Sequence, residues 1–245
     1  MTAMISMKWL LYAALACFLG GSAWRGVLVA GLAAELAYTA VRGLQLGHLP
    51  LLGPHDTLVF LSLSIAVMAV IVSVSPALRA ARWFTVASGI TAGLFALGAL
   101  AFRPLNMPLP QILDTPWFEL HVVLAFFGYG LFTVGGLLCA GFLVRGERSC
   151  LDLQYKAVLV GWTLFSASMV AGGIWGYYAW GTYWLWTAKE LWTSILWLYY
   201  VLVLHVRLKG RQWDRAAAWL GIGGVFVMLF TYLGVSMLMK SSHSF

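Results

Sequence analysis

Charge is what this 245-residue chain has least of: Asp, Glu, Lys and Arg make up 9% of it, where a soluble domain carries about 25%. Acidic residues are scarcest, eight against fifteen basic. A chain so poor in charge has too little polar surface to cover a water-facing fold, which excludes an ordinary soluble enzyme or binding domain. The net charge of +7 is spread through short segments without a contiguous basic run, so no nucleic acid is expected as a partner. Cysteine is scarce as well. Cys17, Cys139 and Cys150 form neither CxxC nor CxxCH, which excludes a thiol redox motif and covalent haem attachment to this chain; Cys17 and Cys139 read as small apolar packers. Proline is confined, all seven lying between Pro50 and Pro116, where it ends helices without breaking one.

What remains is hydrophobic: 62% of the residues, with a mean hydropathy of +0.89. About 20 apolar residues cross a bilayer as a helix. Eight segments have that character: Ile5–Ala23, Val27–Val41, Thr57–Val74, Trp83–Ala101, Phe118–Val144, Tyr155–Ile174, Leu191–Leu208 and Ala216–Met239. The expected fold is all-α: a polytopic membrane helical bundle of about eight transmembrane helices, forming one integral-membrane domain over residues 1–245. No cleavable signal, repeat or low-complexity linker is expected. With both termini non-cytoplasmic, the inner loops hold ten basic residues (Arg25, Arg79, Arg82, Arg145, Arg148, Lys156, Arg207, Lys209, Arg211, Arg215) and the outer segments five (Lys8, Arg42, Arg103, Lys189, Lys240). The excess of inner cations favours that orientation.

One stretch stands apart. Trp175 to Trp197 reads WGYYAWGTYWLWTAKELWTSILW and holds Trp175, Trp180, Trp184, Trp186, Trp192 and Trp197. The orientation puts its Trp-rich loop, about 175–190, on the outer side. Trp and Tyr gather at membrane interfaces, so an aromatic belt is one reading. A belt spreads its rings over several helix ends, whereas this cluster sits in one loop, as a platform for a large, flat, apolar ligand would.

Topology sorts the histidines. His121 begins span five and His243 lies in the tail beyond span eight, so both flank the Trp-rich loop from outside. Two opposed imidazoles beside aromatics suit haem iron. Alone, His121 reads as an interfacial histidine bonded to Glu119 or a carbonyl, and His243 as tail. His205 falls inside span seven near its cytoplasmic end, where an ionisable group is a functional hypothesis by default, snorkelling being the plainer reading. Glu35 in span two is expected to face the bundle interior. His48, His55 and Asp56 read as a solvated loop or a weak metal contact.

The motifs WGTYWLWTAKELWTSILW, LHVR, FTYLGVSML and HSF, spread over Trp117 to Phe245, resemble the cytochrome c assembly proteins of the CcsA/ResC type, the haem-handling membrane proteins of system II. That family carries a Trp-rich WWD-like loop of the form WGxxWxWDPKExW, then LHxR and a terminal HS-aromatic. By this resemblance Trp180, Gly181, Trp184, Trp186, Lys189, Glu190 and Trp192 fall on the loop motif. His121 and His243 fall on the two outer histidines that ligate haem, and His205 on the intramembrane histidine associated with haem entry. The resemblance implies transport and presentation of non-covalent haem b at the outer loop, for attachment to the CxxCH of apocytochrome c, with Lys189 placed for a propionate. It also implies a CcsB/ResB-type membrane partner completing a cytochrome c synthase, and a multi-pass location in the inner (plasma) membrane rather than the thylakoid. Two departures stand out: Thr187-Ala188 replaces the family's Asp-Pro, and Glu35 lies near the point where members often carry a histidine. They keep a HemX-like protein affecting haem synthesis in view. A cytochrome b-like quinol and electron-transfer anchor would need intramembrane bis-His pairs, which the positions of the histidines disfavour. A structural subunit without haem is a third reading.

Overall fold

The computed structural model describes residues 2–20 and 24–238. Eight helices account for most of them: α1 (Thr2–Gly20), α2 (Arg25–Leu46), α3 (Gly53–Ser73), α4 (Arg82–Ala99), α5 (Pro116–Arg145), α6 (Arg148–Trp180), α7 (Ala188–Leu208) and α8 (Asp214–Leu229). The last continues through a π-helical turn, Phe230–Gly234, into a final α-turn, Val235–Leu238. No strand occurs among the described residues. In hydrocarbon a backbone must satisfy its own polar groups, and a helix does so within one segment. The chain is therefore an all-α polytopic membrane bundle, as its hydropathy predicts. By length and composition α2, α3, α5, α6, α7 and Arg211–Leu238 are able to cross a membrane, with Met7–Gly20 a shorter apolar helix.

Prolines mark the starts. Pro116 and Pro54 stand in the first turns of α5 and α3, and Pro76 in the first turn of a 3-10 segment, where the missing N–H costs nothing. The Thr115 hydroxyl caps α5 by accepting from the Phe118 N–H.

The chain divides into two compact units, Met1–Asp114 and Thr115–Phe245. In the first, α3 is the hub, buried along most of its length. Small residues let large ones close in, as membrane packing requires: a Cβ on Gly31 would stand 2.7 Å from the Phe18 ring. Glu35 is wholly buried, as expected for a carboxyl facing a bundle interior, and neither of its oxygens has a hydrogen-bond partner. The Ser62 hydroxyl interacts with it without completing a hydrogen bond.

The solvated loop expected at His55 and Asp56 is not what forms. Helix α3 begins at Gly53, four residues earlier than hydropathy indicates, and carries both side chains into the core. The Arg42 guanidinium donates Nε and one Nη to the two Asp56 carboxylate oxygens at 2.5 and 2.8 Å, and further N–H groups to the Leu105 carbonyl and the Asn106 side chain. His55 Nδ1 meets the Ala99 carbonyl at 2.9 Å, and its Nε2 meets the Tyr38 hydroxyl at 2.7 Å. Both ring nitrogens are thus engaged, and His55 is a core histidine rather than a metal ligand. His48 remains in the turn after α2, its Nδ1 on the Leu49 carbonyl.

In the second unit α5 is the hub, mostly buried. It packs along α6 through paired glycines: a Cβ on Gly128 would stand 3.1 Å from the Gly161 carbonyl, and one on Gly161 2.9 Å from Leu131 Cβ. Phe132 stacks on the α7 residue Tyr200 at 3.6 Å between ring centroids. Cys139 is buried against Leu151 and Ala218, the packing role that its apolar sequence context predicts.

Removing one partner of a buried ion pair strands the other charge. Arg42→Ala is expected to destabilise the protein by about 3–5 kcal/mol, read as a lowered unfolding midpoint in detergent. Replacing Arg42 and Asp56 together by Met and Leu should cost much less.

Candidate functional site

The Trp-rich stretch begins as helix. At 33 residues, α6 is roughly 50 Å long at 1.5 Å per residue, well beyond the ~30 Å hydrocarbon layer. Trp175 to Trp180 therefore continue α6, where hydropathy ends the span at Ile174. The irregular part is only 181–187. Gly181, with φ 73°, takes the left-handed cap that closes α6, its N–H on the Tyr177 carbonyl at 2.9 Å.

The loop then folds back over the helix it has left. A Cβ on Gly173 would lie 3.4 Å from the Tyr183 carbonyl, and one on Gly176 3.2 Å from that of Thr182. Tyr183 stacks on Tyr177 at 4.7 Å and 16°. Trp186 holds φ 56°, the left-handed region that a bulky residue adopts at a cost of about 1–2 kcal/mol.

What holds it there is a capping box at the start of α7. The Thr187 hydroxyl accepts from the Glu190 N–H at 3.3 Å, and Glu190 Oε2 accepts from the N–H groups of Thr187 and Leu185, each at 2.9 Å. This explains the departure from the family's Asp-Pro. The two positions are the N-cap and first residue of a helix, where Asp and Thr both cap and Pro and Ala both fit. Thr187-Ala188 keeps the structural work of the pair while dropping its charge.

The aromatic residues separate by burial. Trp175 is 2% exposed, wedged between Phe118 at 5.2 Å and Trp180 at 4.8 Å. Trp192 is half-buried against Phe230 of the π-helical turn at 4.5 Å. Trp184 is half-buried, edge-on to Trp186 at 6.5 Å. Trp186 is 73% exposed and lies beside the exposed Leu185. Trp175 is thus the buried foundation of the cluster, Trp184 and Trp192 are half-buried, and Trp186 is its open part.

His121, on α5, is joined to this foundation. Its Nδ1 lies 2.8 Å from the Ser168 carbonyl of α6, the Ser168 hydroxyl donates to the His121 carbonyl at 2.8 Å, and the imidazole stacks on Trp175 at 6.4 Å and 18°. A carbonyl only accepts, so Nδ1 carries the proton and Nε2 keeps the lone pair. An imidazole fixed through Nδ1–H to a carbonyl is the arrangement of metal-ligating histidines. Gly172 leaves the room: a Cβ there would stand 2.6 Å from Nδ1. Glu119 is not the partner.

Among the described residues Lys189 forms no ion pair with Glu190. Its ammonium donates to Ser236 Oγ at 2.6 Å and the Tyr232 carbonyl at 3.4 Å, and Thr231 reaches the Trp192 carbonyl at 3.4 Å. The start of α7 is thereby tied to the π-helical turn and the final α-turn. Thr231, Tyr232 and Ser236 belong to the FTYLGVSML motif, but nothing in that motif marks them as the partners of α7. His243 lies outside the described residues. His205 is exposed on α7, with Nδ1 on the Val201 carbonyl at 2.7 Å, so the structure does not bring it to His121. Among the described residues no three His, Cys, Asp or Glu side chains gather as a metal site; a porphyrin iron needs only one or two axial imidazoles.

The family described as Cytochrome C assembly protein matches residues 52–243. The chain belongs to that family. Among cytochrome c assembly relatives it is similar to the cytochrome c biogenesis protein CcsA of Synechococcus sp. (strain RCC307), 28% identical over 258 residues, covering 87% of this chain and 82% of that protein. It is also similar to CcsA of Trieres chinensis, 26% identical over 249 residues, covering 83% and 80% respectively. Among solved structures it shares the fold of the cytochrome c heme lyase CcmF, with a TM-score of 0.76 at 20% identity over 99% of this chain. The chain spans about half of that structure, 48% of its length.

The close fit around His121 makes Gly172 decisive. Gly172→Ala is expected to push the imidazole off Ser168 at a cost of about 1–3 kcal/mol for overpacking. Thr187→Ala should cost about 1 kcal/mol through loss of the cap, whereas Thr187→Asp with Ala188→Pro should melt like the parent chain; thermal unfolding in detergent reads all three.

Proposed function

We propose that this member of the cytochrome c assembly family presents haem b, held without a covalent bond, to apocytochrome c at the face formed by Trp184, Trp186 and His121. The single observation that carries the reading is the His121 hydrogen bond: an imidazole pinned through Nδ1 to the Ser168 carbonyl between α5 and α6 and stacked on Trp175, an arrangement that would leave Nε2 for an iron. Trp180, Trp184 and Trp186 offer apolar faces to a porphyrin, on the foundation of Trp175. His243 supplies the opposing imidazole from the C-terminal tail. Lys189 reaches a propionate from its place at the start of α7. His205 serves haem entering within the membrane; its exposure on α7 suits a haem shared with another chain. A CcsB/ResB-type partner completes the synthase in the plasma membrane, with the Trp-rich loop on its outer side.

The chain's contribution is placement. Attachment adds each cysteine S–H of the CxxCH segment across a haem vinyl group: sulfur bonds to one vinyl carbon and the proton ends on the other, so no external oxidant is consumed. The tetrapyrrole supplies the reactive vinyls, and the protein holds them towards the thiols.

Purified protein carrying His121→Ala or His243→Ala is expected to retain less haem than the parent, and added imidazole to restore it by filling the vacant axial position. Trp184→Ala and Trp186→Ala should lower haem retention and cytochrome c yield at normal abundance, since each covered ring contributes on the order of 1–3 kcal/mol; Trp83→Ala and Trp219→Ala should not. Unchanged haem content and spectra across the histidine and loop variants would leave the loop as an interfacial belt.

A further inference from the structure

The first unit has a cavity that haem presentation does not use. It measures about 410 Å³ and is lined by Trp24, Arg25, Arg79, Arg82 and Thr85, together with the buried Leu78 and two alanines. Three arginines therefore line one concavity. Among the described residues, none of the three forms an ion pair. Arg25 donates to the Ser73 carbonyl, and Arg82 lies over the exposed Trp24 ring at 5.3 Å. The three acids of this unit stand elsewhere: Glu35 in the middle of α2, Asp56 at the opposite end of α3, where it pairs with Arg42, and Asp114 beyond the far end of α4.

The second unit handles some of its loop cations differently. Arg145 pairs with Glu147, Arg148 with Asp214, and Arg207 with both Asp152 and Asp214. Arg145, Arg148 and Arg207 thus have counter-charges, while among the described residues Lys209, Arg211 and Arg215 of that unit, like the three arginines around the cavity, form no ion pair. The backbone sharpens the contrast. Arg25 and Arg82 begin α2 and α4, and neither N-cap residue, Trp24 or Ala81, supplies a capping side chain. Cations at two positive helix ends are unfavourable by themselves, and an anion lodged among them relieves both the mutual repulsion and the uncapped N–H groups.

We infer that this cavity binds the phosphodiester headgroup of an anionic phospholipid. Guanidinium forks match phosphate oxygens, basic pockets among membrane helices take acidic headgroups, and the exposed Trp24 at the rim is the side chain that sits at headgroup depth. The lipid chains would then lie along the apolar outer surface of the unit.

The test uses the full chain reconstituted in phosphatidylcholine with phosphatidylglycerol, then delipidated and weighed by native mass spectrometry. The parent is expected to keep phosphatidylglycerol over phosphatidylcholine. R79Q/R82Q, which leaves the Arg25 bond to Ser73 in place, should lose that preference by about twentyfold, each cation near an acidic lipid being worth about fivefold in affinity. R145Q/R148Q, made in the paired cluster, should keep it. Equal phosphatidylglycerol retention in the parent and R79Q/R82Q overturns the proposal. So does displacement of the lipid by millimolar inorganic phosphate alone, which assigns the site to a soluble phosphate. A loss of haem with lipid retention unchanged also overturns it. Because the readout is bound lipid, failure here leaves the haem-presentation reading standing.

Discussion

The site depends on one hydrogen bond, from His121 Nδ1 to the Ser168 carbonyl. It fixes the imidazole tautomer, sets the height of His121 against Trp175, and exists only because α5 and α6 approach closely enough for Gly172 to face the ring. That approach is prepared lower down, where Gly128 and Gly161 let the two backbones nearly touch. Without water to drive helices together, such contact between small residues is how membrane helices associate. The packing of the bundle and the chemistry of the candidate ligand are thus one arrangement.

Around this bond the Trp-rich segment is built as a rigid turn. Gly181 ends one helix, Thr187 and Glu190 begin the next, and the chain between them is pressed onto the face of Gly173 and Gly176. Strain at Trp186 is tolerated because both ends are fixed, which is the usual condition for a backbone held in a sparsely populated conformation. The Lys189 bonds to Ser236 and Tyr232 then fasten α7 to a π-helical turn, a feature frequent at functional sites.

Much of this is legible from residues alone. Eight apolar runs become eight helices because hydropathy reports the one thing a bilayer enforces. Thr187 with Glu190 three positions on is a readable capping signature. Hydropathy is blind where polar residues enter the core in mutual company. Arg42 with Asp56 and His55 with Tyr38 satisfy one another inside the first unit, and a pattern that scores residues singly places Arg42, His55 and Asp56 outside the spans. The Pro54 beside Gly53 is the available sign that α3 starts early. Helix length misleads for the opposite reason: α6 outruns the bilayer, so its last turns are aromatic and polar yet helical, and Trp175 is buried where hydropathy predicts a loop residue. The burial order of the tryptophans follows from that extra turn and a half.

The most direct test of haem presentation through His121 asks which imidazole nitrogen meets the iron. In ferric, haem-loaded protein made with histidine carrying 15N at Nε2, electron–nuclear double resonance is expected to show strong coupling to two imidazole nitrogens, one of which His121→Ala removes, with only weak coupling when the label is at Nδ1. A strong coupling to labelled Nδ1, or survival of both Nε2 couplings in His121→Ala, would contradict the account.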